Sequence, residues 1–115
     1  MAWVRLDDQL PRHPKIRELS DRAFRVYVTA MCETSEFLDD GYVSATQLRD
    51  MRATPKAVAE LVDNDLLIPS DVAAGFQIKN YLKRNPSREQ VEGRRAAAAK
   101  RLRDWREEQE KKKGA

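Results

Sequence analysis

The sequence predicts a mainly α-helical fold with one small β-hairpin, extended by a long basic C-terminal helix. Three observations carry this. Apolar residues recur at helical spacing between positions 24 and 62. Two short apolar runs, Leu66-Leu67-Ile68 and Phe76-Gln77-Ile78, flank a turn region bounded by Pro69 and Gly75, as paired strands do. Residues 85–106, NPSREQVEGRRAAAAKRLRDWR, are basic and alanine-rich, suited to a helix but too polar for a core.

The elements follow in order. Trp3, Val4 and Leu6 suit a short edge strand. Pro11 and Pro14 break any long element, and Ile16 and Leu19 suit a helical turn. Ser20 reads as an N-cap, with Asp21 favourable in the first turn. Phe24, Tyr27, Val28, Met31 and Cys32 then fall at i, i+3, i+4, i+7 and i+8. They predict a helix to about Phe37, with this face, Cys32 included, in the core. Asp39-Asp40-Gly41 ends it with a turn.

Tyr42-Val43 reads as a short strand. Ser44 and Gln47 form a capping box for a second helix, with Ala45, Leu48 and Met51 on its buried side. Arg52 and Ala53 turn the chain. Thr54-Pro55 restarts it as an N-cap followed by Pro at the first helical position. Val58, Leu61 and Val62 face inward from this third helix, which ends near Asn64. Two short helices joined by a tight turn are a helix-turn-helix pattern. With the hairpin after them, the order is that of a winged helix-turn-helix. One core is expected from Phe24, Val28, Met31, Leu48, Val58, Leu61, Ile68, Phe76 and Ile78.

Ser87 and Gln90 form a second capping box, opening a last helix that runs to about Lys113, roughly 39 Å at 1.5 Å per residue. Val91, Ala98, Leu102 and Trp105 share one stripe, bordered by Arg88, Arg95 and Arg106 on one side and by Arg94 and Arg101 on the other. This stripe is the candidate surface for packing on a partner or a second copy, a possible homodimer through the C-terminal helix. Only the tail KKKGA reads as disordered. The expected organisation is a winged helix-turn-helix domain over 1–82 and a basic helical arm over 83–115.

Charge separates the two parts. Residues 1–82 hold 10 Lys/Arg against 13 Asp/Glu, whereas residues 83–115 hold 12 against 6. The net charge of +3 hides this asymmetry, which points to nucleic acid or to an acidic protein partner. Candidate DNA-binding residues are Arg49, Arg52, Thr54 and Lys56 around the start of the third helix, and Lys79 on the second hairpin strand. The arm adds Lys83, Arg84, Arg88, Arg94, Arg95, Arg101 and Arg106, since arginine forks suit phosphate oxygens. The outward residues of the third helix, Lys56, Ala59, Glu60 and Asp63, make a poor reader of bases because acids face phosphates at a cost.

Other chemistries find little support. His13 is the only histidine and Cys32 the only cysteine, so a Cys/His zinc site is excluded, and a reducing cytoplasm, that of a bacterial host, is the default. No GxxxxGK[ST] motif is present. Neither a catalytic constellation, a cofactor nor a metal site is expected. No apolar run approaches the roughly 20 residues of a membrane span.

The segments WVRLDD, LSDRAFRVYVTAMCET, DDGYVSATQL and FQIKNYLKRNPSREQVEGRRAAAAKRLRDWR together resemble the N-terminal winged-helix domain of phage replication-initiation proteins (replisome organisers), especially those of actinobacterial phages and prophages. The resemblance covers nearly the whole chain and is most specific over 81–105. It implies a winged-helix domain that binds double-stranded DNA at a replication origin or recruits replication or host proteins. Members of that family continue into a further domain or a long tail. The acidic third helix departs from the pattern, so a stand-alone regulator, or a protein adaptor that uses the scaffold without reading DNA, stays open beside it.

Overall fold

The structure, a computed structural model, describes residues 3–71 and 73–114. It is mainly helical with a small three-stranded antiparallel sheet. The chain divides into two units, between Asn85 and Pro86.

In the first unit a short 3-10 turn, Leu10–Arg12, leads into helix α1 (Pro14–Arg17) and the long helix α2 (Asp21–Phe37). The Ser20 hydroxyl accepts from the Ala23 N–H, capping α2 as its sequence requires. Strand β1 (Tyr42–Ser44) follows, then α3 (Ala45–Asp50) and α4 (Pro55–Asp63). Ser44 and Gln47 make both bonds of the capping box, at 3.0 and 2.8 Å. Thr54 caps α4 through the Ala57 N–H at 3.1 Å, with Pro55 in the first turn. Strands β2 (Leu67–Pro69) and β3 (Gly75–Ile78) complete the sheet in the order β1-β3-β2.

Register explains which strand residues are buried. Leu67 pairs with Ile78, and Val43 and Pro69 pair with Phe76. Alternation therefore puts Leu67, Ile78, Val43 and Phe76 on the face towards the helices. Ile68 pairs with Gln77 on the opposite face and is 43 % exposed, so its expected place in the core is not realised.

The face of α2 is also corrected. Its buried residues are Ala23, Val26, Tyr27, Ala30, Met31 and Thr34, while Phe24 and Val28 are half-buried and Cys32 is exposed. The buried stripe is rotated by one residue position, about 100° at 3.6 residues per turn. The reason is steric. α2 packs on α4, which buries Ala57 and Leu61, and the alanines of both helices permit close approach of their axes. Apolar spacing alone points to Phe24, Val28 and Cys32, but small residues set the contact. For the same reason Ala57 enters the core, while Val58, Val62 and Met51 only border it and Ala45 is exposed.

Three further expectations change. Trp3, Val4 and Leu6 form no strand, and the sheet consists of β1, β3 and β2. A helical turn, α5 (Tyr81–Arg84), precedes the arm. Tyr81 is buried, and Asn85 is buried with its Oδ1 accepting from the Arg5 N–H at 2.8 Å. These two residues close the first unit, and a side chain anchoring a backbone 80 positions away leaves no local signature. Gly41 ends the turn after α2 at φ +94°, where a Cβ would collide with Gln77 and Tyr81. Only glycine fits that conformation and that space.

The second unit is one helix, α6 (Arg88–Gly114), about 40 Å long at 1.5 Å per residue. The Ser87/Gln90 capping box is formed, at 3.2 and 2.9 Å. Lys111–Lys113 are helical, where disorder was expected. Lysines in a last turn complement the helix dipole, and Glu107/Lys111 and Glu108/Lys112 are spaced for i, i+4 pairing. No residue of α6 is buried. Among the described residues no helix is long and apolar enough to cross a membrane.

Candidate nucleic-acid interface

The turn between α3 and α4 is the centre of the candidate surface on the first unit. Arg52 occupies it with φ +60°, a left-handed conformation. Its carbonyl accepts from Arg22 Nη1 at 3.3 Å, which ties the turn to the start of α2. A groove of about 710 Å³ opens there, lined by Asp21, Arg22, Arg25 and Thr29 from α2 and by Asp50, Met51 and Arg52. Arg22, Arg25 and Arg52 are all exposed. Arg52 was expected at such a surface; Arg22 and Arg25 were not. Their i, i+3 spacing was visible, but their meeting with a turn some 30 positions later was not.

Arg49 and Lys56 are exposed and do not line this groove. Arg49 lines a second groove with Leu48, Pro55, Val58, Ala59, Val62, Asp63 and Phe76, between α3, α4 and the sheet. The side of α4 that lines this groove is largely apolar, while the exposed residues of the helix include Lys56 and Asp63. The Thr54 hydroxyl accepts from the Ala57 N–H as the cap of α4.

Glu60 does not face outward as expected. Its Oε1 accepts from the Ser20 N–H at 2.9 Å and its Oε2 from the Ser20 hydroxyl at 2.7 Å. It therefore joins the body of α4 to the N-cap of α2. These two bonds, helped by the Lys56 charge, hold its carboxyl below the ordinary value of 4.5. A carboxyl with a lower pKa in the folded than in the unfolded chain stabilises the fold above the unfolded value. That contribution is lost as pH falls through the folded value. We therefore expect unfolding midpoints in urea to fall as pH drops below about 4.5, and the fall to be shallower in Glu60→Gln. Equal slopes for the two proteins would remove Glu60 from the acid response.

Lys79 is similarly engaged. It forms an ion pair with Asp65, whose carboxylate also lies 3.4 Å from the Lys15 amine. The Lys79 bond is the main cause of the lowered Asp65 pKa. Lys79 lies just after β3 rather than on the strand, and this pairing makes it a less available phosphate ligand than expected. Lys83 and Arg84 lie on α5, within the first unit.

On α6, Arg88 pairs with Glu92 at 3.0 Å. Arg94, Arg95, Arg101 and Arg106 are exposed and, among the described residues, form no ion pair. The stripe is at the surface: Val91 is half-buried, Ala98 exposed, Leu102 47 % exposed and Trp105 57 % exposed. No protein-family model, curated protein or solved structure matches this chain.

Proposed function

We propose that the chain is a winged helix-turn-helix protein that binds double-stranded DNA, in phage DNA replication initiation or its control. The element order and the β1-β3-β2 sheet support the winged arrangement, with α4 in the place of the recognition helix. The observation that carries the binding reading is the row Arg94, Arg95, Arg101 and Arg106 on α6, exposed and, among the described residues, not neutralised by ion pairs. The link to replication rests on the resemblance of residues 81–105 to the replisome organisers.

The binding is directed at phosphates more than at bases. Of the exposed residues of α4, Pro55 and Ala59 offer no side-chain donor to base edges, Asp63 repels the backbone, and Lys56 is a single cation suited to phosphate. A gel-shift titration on random duplex DNA at two salt concentrations tests this. Affinity should fall steeply with salt, and unrelated duplexes should bind within about tenfold of one another, because no bidentate base contact separates them. Absence of any shift at low salt would refute the reading.

The exposure of Leu102 and Trp105 between arginines favours one second reading, an adaptor that docks an acidic protein on this stripe. Trp105→Ala separates the two. An uncharged side chain contributes nothing to the salt slope, so on the DNA reading the variant keeps the wild-type slope. On the adaptor reading neither protein shifts duplex DNA, and the variant loses binding to acidic polypeptides.

A further inference from the structure

We propose that the groove between α2 and the α3–α4 turn is a clamp for a nucleic-acid backbone phosphate, formed by Arg22, Arg25 and Arg52. This rests on the DNA-binding reading and adds to it a phosphate site on the first unit, distinct from the basic arm.

Three observations support it. The arginines come from two elements and meet in one groove. Two carboxylates, Asp21 and Asp50, line the same groove, yet among the described residues none of the three arginines forms an ion pair with them. Arg22 is held by the bond from Nη1 to the Arg52 carbonyl, which leaves the other N–H groups of its fork for a ligand. The groove thus presents three guanidinium groups against two acids, a net positive site whose donors match phosphate oxygens.

The backbone adds a fourth observation. Asp40, Asp65 and Asn80 also have left-handed backbones, and these are residue types that tolerate it. Leu38, the remaining left-handed position outside glycine, is half-buried at the C-cap of α2, where packing offsets the strain. Arg52 is neither a tolerant type nor buried. A Cβ-bearing side chain in that conformation is strained, and glycine would avoid the strain. The left-handed turn closes α3, with the Ala53 N–H donating to the Leu48 carbonyl at 2.9 Å; glycine would close it without strain, so arginine adds only its side chain there.

The strain also supplies a clean test. Arg52→Gly removes the guanidinium and suits φ +60°, so the turn should keep or gain stability. Arg25→Ala sits on an exposed helical position with a better helix former. The double variant of the full chain should melt at or above the wild-type temperature. It should bind random duplex DNA about tenfold or more weakly, with the log–log salt slope flattened by about 0.9 for each phosphate that is no longer neutralised. A folded variant with the wild-type slope overturns the clamp and leaves the DNA reading standing. A wild-type protein that binds no duplex overturns both. Arginine side-chain NMR with inorganic phosphate alone tells the sources apart. Millimolar phosphate perturbing these arginines, together with unchanged duplex binding by the variant, would make the groove a small-anion site and overturn the backbone assignment.

Discussion

Leu61→Ala should lower the free energy of unfolding by about 2–5 kcal/mol, measured by urea denaturation. Leu61 is fully buried, at 0 % exposure, on the side of α4 that meets α2. Its own carbonyl accepts from the Leu66 N–H at 2.9 Å, so the same residue also fixes the exit towards β2. The cavity left by truncation would be hard to close. The core it belongs to includes Ala23, Ala30 and Ala57, which have no side-chain length to move into a gap, and the sheet residues are held by register. Two controls give the experiment its scale. Val58→Ala, on the half-buried border, should cost less. Cys32→Ser, on the exposed face of α2, should stay within about 0.5 kcal/mol of wild type. A Leu61→Ala midpoint near that of Cys32→Ser would mean that α4 does not pack on α2 through this face.

The contrast between Leu61 and Cys32 shows how far a sequence can be read. Caps were legible because their chemistry is local. Ser20, Ser44, Thr54 and Ser87 each accept from an N–H three residues ahead, and each helix begins where its cap predicts. The side of a helix that faces the core is settled by its partner. α2 turned by one position because α4 brought small residues to the contact, a fact written some 30 positions downstream. Long-range polar anchors were hidden in the same way. Glu60 had the spacing of a surface acid but holds the N-cap of α2. Lys79 had the spacing of a hairpin cation but is tied to Asp65. Arg22 and Arg25 looked like ordinary solvated charges until the α3–α4 turn placed Arg52 beside them. The basic arm is the opposite case. Its charge, cap and helicity are all local, and the arginines legible in the sequence are the ones found exposed on α6.

Removing residues 86–115 should abolish most duplex binding and leave the fold of the first unit unchanged. Every residue of the buried core lies before Pro86, and so do Tyr81 and Asn85, which close the first unit. The cut therefore belongs after Asn85. A cut at Tyr81 would strip the anchor from Arg5 and confuse a folding defect with a binding defect. Residues 1–85 carry 12 Lys/Arg against 13 Asp/Glu, while residues 86–115 carry 10 against 6. Without α6, the remaining body has almost no net charge to attract a polyanion. The Arg22–Arg25–Arg52 groove would then act alone, as a local contact without long-range steering. The shortened chain should show the melting temperature of the first unit in the full protein. Its log–log salt slope should be flatter by about 0.9 for each phosphate that α6 neutralised. If affinity and slope survive the truncation, the DNA-binding residues lie on the first unit, and the exposed arginines of α6 serve something other than DNA.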